Sequence, residues 1–348
     1  MSKASDDGNP LKENLEAWLA REGYPLELSV ANAFHAAGFE VLHRQYFRNK
    51  SQQSSGATDI AVRTSVDVGN SLLRLYYLIE CKWSKDKPWV IFLGDAKTPP
   101  ASLVAQTVAS QTARALFWAR AGDPALQALS LFKPPAQFGF AGRQAFDDKS
   151  DVFDTTVQSL LTRALRLVAS YDGACREPKD LLQTAVAVFP IIVVDGPLYT
   201  ASLGAEADKL ALTQASHVRV FWRASAVWPL HATVDIVTAF DLPGFGAQRC
   251  SDATALMQQL TEPMKQLQRC WAEKSLAPLE ITAGSKGTIG LPHLLREMQA
   301  RFPRRKQLPP SPSTSSQEEA SPAEAGLDKI LWKPWTGRAQ RDSRATLQ

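Results

Sequence analysis

Between residues 24 and 82 the apolar positions change period in a way that sets out a helix and three strands. Leu26, Val30, Ala33, Phe34 and Ala37 recur at helical spacing, Pro25 suits a helix N-terminus, and Gly38 ends the run. Glu27 borders that apolar face. Residues 39–47 then read as a first strand. Residues 58–63 read as a second, with Asp59, Ala61 and Arg63 on one face and Ile60 and Val62 on the other. Residues 74–82 form a third. Arg74, Tyr76, Leu78, Glu80 and Lys82 share one of its faces, and Leu75, Tyr77, Ile79 and Cys81 the other. Residues 65–70 place Gly69 and Asn70 where a turn needs them, so an antiparallel pair sets Asp59 near Glu80, in a register that pattern alone leaves open.

Farther along, residues 99–121 predict a helix with Leu103, Val104, Val108, Ala115 and Leu116 buried, and 123–142 an irregular Pro- and Gly-rich stretch. A helix over 152–170 precedes strands at 184–194, 217–223 and 233–238. The first of these is apolar on both faces, as a central strand is, but Pro190 inside it favours an edge or a bulge. Asp195-Gly196-Pro197-Leu198-Tyr199 follows it as a turn. Asp235 within the last strand reads as a structural partner. Helices over 251–275, with Pro263 as a kink or break, and over 292–302 complete the ordered part. The element order is that of an α/β chain. Residues 303–348 open on Arg304-Arg305-Lys306, run through a Pro-, Ser- and Glu-rich stretch, and predict a disordered tail with a short apolar motif, Leu327 to Trp335, that docks on a protein partner, docks back on the body, or stays disordered with the rest.

Carboxylates and ammonium groups at the ends of apolar strands are expensive to place there and need a reason. Glu27, Asp59, Glu80 and Lys82 converging on a sheet edge offer hard oxygen ligands for a divalent cation with an ammonium beside them, which is equipment for phosphodiester hydrolysis. A helix with Glu, a strand, a strand with Asp, then a strand ending Glu80-Cys81-Lys82 resembles the PD-(D/E)xK nuclease superfamily over residues 24–120, in the flavour of type IV restriction enzymes and related defence or repair nucleases. One departure is visible: Ala57-Thr58 precedes Asp59 where the family name has proline. A surface ion pair between Glu80 and Lys82, with Asp59 in an exposed turn, is the alternative.

The resemblance implies a restriction-endonuclease-like mixed sheet flanked by helices, with additional strands and helices. It divides the chain into a nuclease core at 1–125, a region at 126–302 that extends the core or forms a companion subdomain, and the tail at 303–348. It implies a Mg²⁺-dependent DNA endonuclease, with Mn²⁺ as a possible substitute. Asp59, Glu80 and the Cys81 carbonyl would hold the metal, Lys82 would act on the water or the transition state, and Glu27 would serve the outer shell or a second metal. Arg44, Arg48, Lys50 and Lys85 would meet nucleic-acid phosphates. The main rival is an inactive or weak nuclease-fold subunit that binds nucleic acid within a larger complex. DNA and RNA are not distinguished.

Composition narrows the field further. The chain has 348 residues, 45% of them hydrophobic, enough for one large core or two modest ones. Its net charge of +4 is matched by residues 301–348 alone, where nine Lys and Arg face five Asp and Glu. No stretch approaches the ~18 apolar residues of a membrane span, and the polar start is no signal peptide, so no membrane partner is expected. Four cysteines without a C-x-x-C pair and five scattered histidines argue for a reduced, cytoplasmic protein without structural zinc or disulfides. Neither a phosphate-binding P-loop nor a G-x-S-x-G elbow is present.

Overall fold

Alternating segments become strands, and eleven of them join one mixed sheet within the residues that the computed structural model describes: 10–43, 59–83, 87–94, 103–146, 152–175, 177–203, 209–223, 231–282 and 292–302. The strands are β1 (Glu40–His43), β2 (Ile60–Val68), β3 (Ser71–Trp83), β4 (Trp89–Leu93), β5 (Val108–Ala109), β6 (Gly139–Gln144), β7 (Thr184–Asp195), β8 (Leu198–Leu203), β9 (Leu210–Ala215), β10 (His217–Arg223) and β11 (His231–Thr238). They run β1-β2-β3-β7-β11-β10-β6-β4-β8-β9, with β5 paired to β7 off that path. β1, β2 and β3 are antiparallel neighbours, while β3, β7 and β11 run parallel. Strands from before and after residue 126 therefore share one sheet.

Helices cover both faces. They are α1 (Pro10–Arg21), α2 (Tyr24–Ala36), α3 (Gln111–Arg120), α4 (Pro124–Gln127), α5 (Val152–Gly173), α6 (Pro178–Leu181), α7 (Leu242–Glu273), α8 (Ala277–Thr282) and α9 (His293–Arg301). One face of β3 presents Leu73, Leu75, Tyr77 and Ile79 to a core shared with Val30 and Phe34 of α2, Leu116 of α3 and Leu260 of α7. The other face presents Tyr76 and Leu78 to Phe153, Val157, Leu160 and Ala164 of α5. The expected division of β3 into two faces is thus the division between two helical layers. No helix among the described residues is long and apolar enough to cross a membrane.

Several elements differ from their sequence expectation for identifiable reasons. The turn is narrower than residues 65–70: only Gly69 and Asn70 connect Val68 to Ser71, with Gly69 at φ 62°, a conformation glycine adopts without a Cβ penalty. α2 stops where expected. Gly38 at φ 100° lets its own N–H reach the His35 carbonyl and the Phe39 N–H reach that of Phe34. The expected strand at 39–47 is β1, four residues long, and the residues beyond His43 as far as 58 lie outside those described.

The helix expected over 99–121 is instead a 3₁₀ turn (Leu103–Gln106), the short strand β5, and α3. Ser110 separates them, because its Oγ accepts from Ala113 N–H as an N-cap while β7 takes the backbone of Val108 and Ala109. The stretch expected to be irregular at 123–142 contains α4 and the start of β6. Its glycines permit close approach: a Cβ on Gly139 would lie 2.5 Å from Ile91 Cγ2, and one on Gly142 would lie 2.6 Å from Phe153 Cδ2. The turn at 195–199 shortens to Gly196-Pro197, and Leu198 and Tyr199 begin β8.

α7 starts at Leu242, nine residues before the expected helix. Pro243 is compatible with its first turn, and Pro263 lies inside the unbroken helix. Proline there costs about 3 kcal/mol, offset by the buried stripe of Leu256, Leu260, Met264 and Leu267. β7 is central rather than an edge, despite its proline. The Val186 N–H faces Ser110, on the β5 side, and N–H groups of alternate residues face the same edge, so the nitrogen of Pro190 faces that edge too. There β5 pairs with Ala187 and Val188, and β11 begins pairing at Ile191. The missing donor falls in the gap between two partial partners.

Candidate functional site

The register of β2 on β3 assembles the site. Ile60 pairs with Ile79, so Asp59, one residue before Ile60, comes beside Glu80, one residue after Ile79. Asp59 Oδ2 accepts a hydrogen bond from the Cys81 N–H at 2.8 Å. Glu80 is buried, and each of its oxygens has a cation. Oε1 accepts from Lys82 Nζ at 3.0 Å, and Oε2 from Arg163 Nη1 at 2.6 Å. Arg163 in turn donates from Nη2 to Ser159 Oγ at 2.6 Å, one turn earlier on α5, and its buried Nε has no partner among the described residues. Lys82 is partly exposed, at 29% of its side chain, which leaves the ammonium open to solvent beside the carboxylates.

Electrostatics adds the fourth residue. Burial first, then the charges of Glu80 and Glu27 on α2, raise the Asp59 carboxyl to about 6 against the opposing Cys81 N–H and Lys82 charge. Burial also drives the Cys81 thiol up, with Asp59, Glu27 and Glu80 reinforcing it. Glu27 is half-buried in the first turn of α2, which packs on the opposite face of the sheet from α5. It thus approaches the ends of β2 and β3 from one layer while Arg163 approaches from the other. Asp59, Glu80, Lys82 and Glu27 are brought together. The nucleic-acid contacts expected of Arg44, Arg48, Lys50 and Lys85 lie outside the described residues.

Fitness for a divalent cation can be judged from the donors. Asp59 offers hard oxygens, and no ammonium or guanidinium among the described residues forms an ion pair with it; burial, then the charges of Glu80 and Glu27, raise its pKa. Glu80 offers the same chemistry with both oxygens committed to Lys82 and Arg163. Among the described residues no three His, Cys, Asp or Glu side chains are arranged to hold a metal ion. Asp59 and Glu80 supply two carboxylates of the hard-oxygen type that divalent cations take.

Arg163 was not anticipated, although a signal for it exists. It lies on the buried stripe of α5, three residues after Leu160 and four before Leu167, and a guanidinium there is the same anomaly as a carboxylate ending an apolar strand. Asp235 belongs to a separate network. Its neighbour on the same strand face, Val237, packs into the core on the α7 side, and Asp235 pairs with Arg219 and Arg249. No family model, no curated protein and no solved structure matches the chain.

Proposed function

We propose that this chain is a metal-dependent nuclease that hydrolyses DNA phosphodiester bonds on a restriction-endonuclease-like plan, in defence or DNA processing. The observation that carries this reading is the β2–β3 register, which sets Asp59 beside Glu80 and Lys82 at the ends of two paired strands. Asp59, Glu80 and the Cys81 carbonyl would hold Mg²⁺ or Mn²⁺. The ion supplies a more acidic bound water and charge compensation at the phosphate. Lys82, partly exposed, would place its ammonium against the scissile phosphate or the attacking water once it leaves Glu80. Arg163 would then keep Glu80 oriented from the α5 side, and Glu27 would add negative charge behind Asp59.

The second reading, a nuclease-fold subunit that binds nucleic acid without cutting it, is favoured by one observation: both oxygens of Glu80 are held by cations. Plasmid and single-stranded DNA incubated with Mg²⁺, Mn²⁺ or EDTA separate the two. The expected outcome is cleavage with either metal and none with EDTA. Asp59→Ala and Glu80→Ala should abolish it with the circular dichroism spectrum unchanged, and Lys82→Ala should slow it by about a hundredfold or more while DNA binding persists. Binding without cleavage by the unmodified chain would favour the subunit reading. Equal cleavage by the unmodified chain and both carboxylate variants would remove the site.

A further inference from the structure

The sheet ends on β9, a strand with none of the features that usually close an edge. Among the described residues β9 pairs with β8 alone, through six residue pairs without a register shift. Every residue from Leu210 to Gln214 is exposed, so both faces of the strand are open. Alternate residues of an antiparallel strand turn their N–H and C=O groups away from the neighbour they pair with. A row of backbone donors and acceptors therefore runs along the outer edge of β9. β proteins normally blunt such an edge with charge, proline or a bulge. The six residues of β8 and the six of β9 include no charged residue and no proline, in a chain that is 21% charged.

The same edge carries three exposed leucines on one face. Leu203 pairs with Leu210, so the two share a face, and Leu212 follows two residues on; they are 75%, 60% and 59% exposed. An apolar cluster beside unpaired backbone groups suits a partner that brings both a strand and apolar side chains. A second β9 brings both. Charge points the same way. An uncharged edge offers nothing to an acidic or a basic segment. In a two-fold pairing, by contrast, each side chain meets one from the same strand, and a strand without charge escapes the like-charge contacts that such pairing otherwise incurs.

We propose that β9 is the interface of a two-fold homodimer, in which it pairs antiparallel with β9 of a second copy. Directly opposed residues share a face, so the axis passes through a residue rather than between two. Centring it on Leu212 overlaps residues 210–214 of both strands. Leu212 then faces its own copy, Ala211 faces Thr213, and Leu210 faces Gln214. Lys209, just before the strand, falls opposite Ala215 and meets no like charge. The leucines of both copies join in one patch, on one face of a sheet that continues from chain to chain. One short strand per copy makes a small interface, and small interfaces give weak, reversible association. Dilute chains therefore separate and leave β9 open to exchange.

Analytical ultracentrifugation of the full chain over about two decades of micromolar concentration tests this. The mass should rise from that of one chain to that of two and stop there, because pairing uses up the edge. Leu212→Lys and Leu212→Glu each put like charges on the axis, and each should weaken association by about tenfold or more. Mixing the two variants sets opposite charges there and should restore association, as expected of a residue that faces its own copy. Leu212 is exposed, so both variants should keep the cooperative thermal unfolding of the unmodified chain. Amide exchange of β9 should slow as the unmodified chain is concentrated, and should not slow in either variant alone. A single-chain mass at every concentration, undiminished association in both variants, or no recovery on mixing would overturn the proposal. So would a β9 protected at every dilution, which would mean that residues of the same chain cover the edge. None of these measurements involves metal or nucleic acid, so they are independent of the proposed nuclease activity.

Discussion

At the scale of single residues, Asp59 is the group most at odds with its surroundings. Its carboxyl is raised from 3.8 to about 6 by burial and by Glu80 and Glu27. The folded chain therefore binds this proton more tightly than the unfolded chain does. The resulting stability is fully present below 3.8 and is lost as pH rises through about 6. Above that window the ionised group costs about 3 kcal/mol. Asp59→Asn removes the charge and keeps an acceptor for the Cys81 N–H. Urea denaturation is expected to show the variant more stable by roughly 2–3 kcal/mol at about pH 8, with the gain fading towards pH 4. A gain independent of pH would mean that Asp59 is not the group being titrated.

At the scale of elements, the Asp235 network ties β10, β11, α7 and the segment after α4 together by polar contacts. Arg219 on β10 reaches Asp235 on β11 and three carbonyls of the segment after α4, and Arg249 brings in α7. Removing one partner of a buried pair leaves an uncompensated charge, which costs about 3–5 kcal/mol. Arg219→Met is expected to lower the unfolding free energy measured in urea by that amount, and limited proteolysis should cut first within 128–137. A loss under about 1 kcal/mol would show that Arg249 alone satisfies Asp235.

At the scale of the molecule, the sheet has a protected centre and a thin end. β7 is buried along nearly its whole length and pairs with β3 through twelve residues, whereas β9 is exposed, has β8 as its one partner among the described residues, and shows Leu210 and Leu212 to solvent. Amide exchange followed by mass spectrometry should find β3 and β7 protected longest and β9 fastest to exchange. Equal protection across the sheet would contradict a centre on β7. Leu203, Leu210 and Leu212 at that end are an exposed apolar edge of the kind that β proteins usually cover.

Period alone determined which residues of β2 and β3 share a face, because side chains alternate on any strand whatever it pairs with. Asp59, Glu80 and Lys82 were legible for that reason, as charged groups at the ends of apolar runs. The positions of α2, α5 and β10 were legible too, since their apolar spacing holds without neighbours. What the tertiary structure decided depends on contacts distant in sequence. Arg163 reaches Glu80 across 83 positions, a pairing that no local pattern encodes. β5 and β6 exist because β7, Ile91 and Phe153 stand where they do. Pro190 is tolerated in a central strand because two partial partners leave a gap at its nitrogen. The commitment of Glu80 to two cations is likewise a tertiary fact: one of them comes from its own strand, the other from a helix in a different layer.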